Sequence, residues 1–138
     1  AGERNGLTAE GFELGNSPIA YLEDAYKGRK LAMTTTNGTL AISKSIGAAE
    51  VVIGAFPNLS ATVSYLQNQD QNVLIHCAGW KGMFNLEDSL YAGALAKSLE
   101  ATHEATEDGA IAMKALFEKE GYDLKGLLSQ AAHAKRLQ

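Results

Sequence analysis

The sequence predicts a three-layer α/β/α domain with a largely parallel sheet and a helical C-terminal portion. Three observations predict it. Short aliphatic runs at 30–34, 50–55 and 72–77 lack polar–apolar alternation, as strands do when a parallel sheet is covered on both faces. Helix-compatible segments lie between those runs, the signature of βαβ units. After Cys77 the apolar spacing becomes helical and stays so to the end.

Taken in order, the first element is a helix with Ser17 as N-cap, Pro18 at its first position and Gly28 as terminator. Ile19, Leu22 and Tyr26 share one face of it. Asn37-Gly38 turns the first strand into a helix at 39–46. Asn58, after Pro57, caps the next helix, with Leu59, Val63 and Leu66 at core spacing. Asn85 caps a helix at 86–99. Thr106 caps one that ends near Gly121, with Met113, Leu116 and Phe117 facing inward. Asp123 caps the last, where Leu124, Leu127, Leu128 and Ala131 recur at i, i+3, i+4 and i+7.

At 138 residues the chain fits a single domain, 1–138. Its polar start, Ala1-Gly2-Glu3-Arg4-Asn5-Gly6, reads as the interior of a larger domain, of which this would be a fragment. A hydrophobic fraction of 46% and a charged fraction of 20% are globular values. The net charge of −4, without a basic stripe, argues against a nucleic-acid partner. No apolar run approaches the roughly 18 residues of a membrane span. A lone cysteine, Cys77, in an apolar run reads as a buried, inert thiol of a cytoplasmic protein.

In a parallel α/β sheet, loops leaving the carboxyl ends of strands share one edge, where helix N-termini favour anions. Four segments are expected there: Gly15-Asn16-Ser17-Pro18, the run from Thr34 to Thr39, residues 54–58, and the loop from Gly79 to Asp88. In the second, the hydroxyls of Thr34, Thr35, Thr36 and Thr39 and the Asn37 amide can donate to phosphate oxygens. Gly38 lets backbone approach closely there. A plain capped helix would use the same residues, and no Gly-Lys-[Ser/Thr] follows to make a P-loop.

Glu87 and Asp88 complement the dipole of a first helical turn, and Asn85-x-x-Asp88 resembles a capping box. Asp88 also heads a stripe with Ala92, Leu95 and Leu99, which turns its carboxylate inward. An inward carboxylate in such a loop suits Mg²⁺, so Asp88 is favoured over Glu87 as ligand. Glu3 could add a ligand or a general base, Arg4 an anion clamp, and Asn5 a polar contact; a solvated loop is the bland alternative. Lys81, between Gly79 and Gly82, could meet an anion. His76, His103 and His133 lack metal spacing and read as structural.

Gly2-Glu3-Arg4-Asn5-Gly6, Gly15-Asn16-Ser17-Pro18, Thr34-Thr35-Thr36-Asn37-Gly38-Thr39 and Phe84-Asn85-Leu86-Glu87-Asp88 with Ala92-Gly93 follow in that order. In series they resemble the signatures of the 2-phosphosulfolactate phosphatases, over the first two thirds of the chain. The resemblance implies a cytoplasmic, Mg²⁺-dependent hydrolase that converts 2-phospho-3-sulfolactate to 3-sulfolactate and phosphate in coenzyme M biosynthesis. Glu3, Glu87 and Asp88 would then be catalytic and hold the metal. Arg4, Asn5, Asn16, Ser17, Thr34–Thr36, Asn37, Gly38, Thr39 and Lys81 would bind the substrate, a small anionic ester. Family members carry further sequence on either side, so the chain is expected to form a homo-oligomer or to associate with an N-terminal portion. The rival readings are a non-catalytic phospho-ligand binding module and a structural fragment of a larger assembly.

Overall fold

The computed structural model describes residues 1–4, 7–120 and 123–131, which fall into two compact units, Ala1–Ala49 and Glu50–Gln138. Helix dominates the regular structure of both.

In the first unit, β1 (Glu3–Arg4) pairs antiparallel with β2 (Leu7–Thr8), Glu3 opposite Thr8 and Arg4 opposite Leu7. Asn5 and Gly6, the intervening pair, lie outside the described residues. Gly2 forms an isolated parallel bridge with Thr34. The Glu3 amide donates to the Thr34 carbonyl at 3.2 Å, and the Thr34 amide donates to the Ala1 carbonyl at 3.0 Å. That bridge is the part of the expected 30–34 strand that pairs. Its neighbours Leu31 and Met33 are each 50% exposed.

The helix expected between Ser17 and Gly28 is instead two 3-10 turns, Pro18–Leu22 and Asp24–Tyr26, split by Glu23 in extended geometry. Ser17 stands before Pro18 but makes no capping bond. Ile19 and Leu22 are 74% and 82% exposed, so their apolar stripe packs on nothing that would stabilise a longer helix. Gly28 does occupy a left-handed φ of 76°. The strand-to-helix turn after Thr34 leads into α1 (Gly38–Ser45).

In the second unit, α2 (Leu59–Gln67) follows a 3-10 turn at Phe56–Asn58. Asn58 occupies the cap position, but its side chain turns backward. It accepts the Ala55 amide at 2.8 Å and donates to the Ile53 carbonyl at 3.0 Å. The expected strands at 50–55 and 72–77 form no ladder among the described residues. Val51, Val52, Ile53 and Leu74 are exposed. A parallel strand is stabilised only by neighbours distant in sequence, so an aliphatic run alone does not make one.

Packing centres on α3 (Leu86–Ser98) against α4 (Asp108–Glu120), followed by α5 (Leu124–Ser129). Leu90, Ala92, Ala94, Leu95, Leu99 and Ala131 are buried. A Cβ added at Gly93 would fall on the Met113 carbonyl and come within 3.0 Å of Phe117 Cβ, so glycine permits the close helix contact. Met113, Leu116 and Phe117 are half-buried beside exposed Ala112, Ala115 and Glu118, the spacing expected of an inward stripe. Asp123 caps α5 by accepting the Gly126 amide at 2.9 Å. Lys97 pairs with Glu100 and Glu118 at 2.6 and 2.9 Å, and Lys114 with Glu100 at 2.9 Å.

Candidate functional site

In the first unit a cleft of about 290 Å³ is lined by Glu3, Glu13, Asn16 and Ser17, with Thr8 and Gly15 beside them. Three of these were expected from sequence: Glu3, Asn16 and Ser17. Glu13 was not. It lies ten positions from Glu3, and the Gly2 amide, donating to the Leu14 carbonyl at 2.9 Å, draws its segment alongside the start of the chain. Only that non-local bond reveals that Glu13 and Glu3 line one cleft. Gly15 is required by crowding, since a Cβ there would meet Thr8 Oγ1 at 3.0 Å. Tyr21 fixes the same turn by donating its hydroxyl to the Gly15 carbonyl at 2.5 Å.

Thr34 joins Glu3 through backbone, as described above. Beyond it, Thr35 Oγ1 accepts the Thr39 amide at 3.3 Å, and Thr39 Oγ1 donates to the Thr35 carbonyl at 2.6 Å. The threonines therefore close the start of α1 on itself. Thr35 keeps its hydroxyl proton for another acceptor, whereas the Thr39 proton is committed to the backbone. A Cβ at Gly38 would meet Thr35 Oγ1 at 3.0 Å, so the glycine makes room for that cap. Thr36 is exposed and Asn37 half-buried at the N-cap position, where its side chain makes no capping bond. The Arg4 backbone lies in β1; its side chain and all of Asn5 are outside the described residues.

In the second unit, Asn85 caps α3 as its sequence position predicts. Its Oδ1 accepts the amides of Glu87 at 2.8 Å and Asp88 at 3.2 Å. Those two N–H groups are thereby satisfied by protein and not offered to an anion. Asp88 is half-buried, and its Oδ2 accepts the Gly79 amide at 2.7 Å. The carboxylate thus ties the first turn of α3 to the preceding loop, a partner that the helical stripe alone could not name.

That loop is a tight hairpin. Trp80 and Met83 exchange backbone hydrogen bonds of 3.0 Å in both directions. Lys81 and Gly82 between them have φ of 52° and 75°, the left-handed pair of a type I′ turn. Lys81 Nζ lies 4.7 Å from the centroid of the Trp80 ring, a cation–π contact.

Cys77 is exposed, in contrast to the buried thiol its apolar run suggests. Partial desolvation by neighbouring chain raises its pKa, the Asp88 carboxylate raises it further, and a hydrogen bond with Ser89 acts in the opposite direction. The thiol is protonated at neutral pH, which disfavours a thiolate nucleophile. Both ring nitrogens of His103 are engaged, by the Thr102 hydroxyl at 2.9 Å and the Gln71 carbonyl at 3.2 Å. His133 lies outside the described residues.

Among the described residues, no three His, Cys, Asp or Glu side chains converge as a metal-binding group. Mg²⁺ needs less: one or two carboxylates with water and other hard oxygens complete its shell. Glu3 and Glu13, with the Asn16 carboxamide and Ser17 hydroxyl on the same cleft, fit that donor chemistry. The first unit by itself offers hard oxygens suited to a hydrated divalent ion; the second by itself offers a cation, Lys81, suited to anionic oxygen.

The sequence profile of the family described as 2-phosphosulpholactate phosphatase matches residues 1–138. A probable 2-phosphosulfolactate phosphatase of Thermotoga maritima is 42% identical over 136 residues, covering 99% of this chain and 58% of its own length. Proteins described in the same words from Caldanaerobacter subterraneus and Trichormus variabilis are 37% and 40% identical, over 58% and 59% of their lengths. In those two alignments 100% and 99% of this chain are covered. The chain belongs to the 2-phosphosulfolactate phosphatase family. It spans less than two thirds of the length of these relatives.

Proposed function

We propose that this chain forms part of a Mg²⁺-dependent phosphatase that hydrolyses the phosphate monoester of a small acid, 2-phospho-3-sulfolactate, to 3-sulfolactate and phosphate. The observation that carries the reading is the family match along all of 1–138, with relatives near 40% identity described by that activity. Its setting would be cytoplasmic and its pathway coenzyme M biosynthesis. No described helix is long and apolar enough to cross a membrane.

Hydrolysis breaks the ester P–O bond and passes the phosphoryl group to water oxygen, directly or by way of an enzyme carboxylate; the proton lost by that water balances the one the leaving alkoxide takes up. Glu3, with Glu13 on the same cleft, would hold the Mg²⁺; Glu87 and Asp88 are the other carboxylates in question, at the start of α3. When bound, Mg²⁺ supplies Lewis acidity toward phosphoryl oxygens. The chain's own residues supply the rest. A carboxylate not engaged with the cation takes the water's proton. The Thr34, Thr35 and Thr36 hydroxyls and the Asn37 amide donate to phosphoryl oxygens as charge develops. Arg4 and Lys81 offset substrate charge that a chain of net −4 would otherwise repel.

The same reading makes 30–34, 50–55 and 72–77 strands of a three-layer sheet in the full-length protein. Val51, Val52 and Ile53 support it. Consecutive strand residues point to opposite faces, and all three are exposed, so both faces of that run have apolar surface to cover. A homo-oligomer or an N-terminal portion of the full-length chain would provide the cover.

The test is a phosphate-release screen of the full-length protein, with and without Mg²⁺, against 2-phospho-3-sulfolactate and related phosphorylated acids. Release that depends on Mg²⁺ is expected. Tight binding of the ester with no release would identify a phospho-ligand module instead.

A further inference from the structure

Asp88 and Lys81 stand seven residues apart in sequence, and a short bonded path connects them. Asp88 Oδ2 accepts the Gly79 amide at 2.7 Å, which anchors the residue from which the hairpin springs. Gly79 itself has φ of 68°, and a Cβ there would come within 2.7 Å of the Met83 carbonyl. The double bond between Trp80 and Met83 then closes the turn, and Lys81 rides at its first central position with its ammonium over the Trp80 ring.

The identity of residue 81 is the informative point. In a type I′ turn both central residues need a left-handed φ, which Gly, Asn and Asp adopt readily. Lys81 is the only non-glycine residue with positive φ among those described. A lysine there is disfavoured by its own backbone, so this turn carries a cation where a turn-former would be less strained. Strained backbone persists where its surroundings over-determine it and where it serves a ligand. Asp88 and the Trp80 ring are those surroundings.

We infer that Asp88 is a positioning residue: it holds the Trp80–Met83 turn so that Lys81 meets an anionic oxygen of the substrate. The inference rests on the phosphatase reading for its substrate, and it gives Asp88 a task other than holding the cation. The two tasks separate chemically. An asparagine at 88 keeps an amide-accepting oxygen in place but is a poor ligand for Mg²⁺, whereas alanine lacks both properties.

The experiment uses the full-length protein with whatever sequence flanks these residues, and inorganic phosphate as the calorimetric probe. Lys81→Met and Asp88→Ala should each weaken phosphate binding about tenfold, the loss of a charge-assisted contact. Asp88→Asn should restore it to within about threefold, and Asp88→Ala combined with Lys81→Met should be no worse than either alone. In turnover assays the losses should fall on KM more than on kcat, with the Mg²⁺ concentration for half-maximal rate unchanged in Asp88→Asn. A raised Mg²⁺ requirement in Asp88→Asn would make Asp88 a ligand and overturn the inference while leaving the phosphatase standing. Unchanged phosphate binding in Lys81→Met would overturn it from the other end. Should the wild type release no phosphate from any ester, the phosphatase reading fails, and the calorimetric series still decides the role of Asp88.

Discussion

The two units are stabilised by different means. In 50–138 the buried side chains of Leu90, Leu95, Leu99 and Ala131 surround a helix pair, and two further polar ones, Thr62 and Ser89, are buried with them. Among the described residues of 1–49 only Gly2 is buried, and order comes from hydrogen bonds: Gly2 to Leu14, Glu3 to Thr34, Tyr21 to Gly15, Thr39 to Thr35. Apolar burial is non-directional and tolerates neighbours of many shapes. A hydrogen-bonded loop cluster depends on geometry, but it leaves carboxylates and hydroxyls facing water, where a ligand can reach them. The difference shows two sources of order along one chain, apolar packing in the second unit and directed hydrogen bonds in the first.

Substitutions can break that contrast. The largest effect expected is on stability in the second unit: Leu90→Ala, at a fully buried position, should cost about 2–5 kcal/mol in urea unfolding. Glu3→Gln should do the reverse, lowering Mg²⁺-dependent phosphate release by about 100-fold in the full-length protein with the urea midpoint unmoved. A large fall in midpoint for Glu3→Gln would show that the first unit depends on that side chain for its fold as well. Thr35→Val removes the acceptor for the Thr39 amide and should cost about 1 kcal/mol, read as faster hydrogen exchange confined to the first turn of α1.

The smallest effect concerns pH. Hydrogen bonds from Lys97 and then Lys114 hold the Glu100 carboxyl below its ordinary 4.5. A depressed folded pKa contributes stability above the unfolded value and loses it as pH falls through the folded one. Thermal melts should therefore drop slightly more between pH 5 and pH 3 in the wild type than in Glu100→Gln. The difference should shrink with added salt because the pairs are exposed. Equal drops would remove the ion pairs from the account of the second unit.

What the sequence reveals follows the same division. The C-terminal helices were legible because their determinants are local: Asn85 and Asp123 sit at their caps, and Met113, Leu116 and Phe117 recur at helical spacing. The inward turn of Asp88 was legible from its stripe with Ala92, Leu95 and Leu99, all buried. Its partner Gly79 was not, because nothing in the intervening residues encodes how the hairpin folds back. Asn58 looked like a cap and bonds backward to Ala55 and Ile53, a local competition that the residue type leaves open. The segment after Pro18 carried every helix signal except a surface for Ile19 and Leu22 to pack on. Glu13 was not legible, because its place on the same cleft as Glu3 depends on a backbone bond between distant segments. Of the aliphatic runs, 30–34 shows a single bridge at Thr34, since strand pairing depends on residues remote in sequence.

Gly93 has a mechanical consequence. With main chain seated directly against the Met113 carbonyl, α3 and α4 have no cushion of side chain over which to slide or tilt. Bistable packing needs an alternative set of grooves, and a bare backbone contact supplies none. The helix pair is therefore pinned at that crossing, and a side chain introduced at residue 93 would have to push the two helices apart.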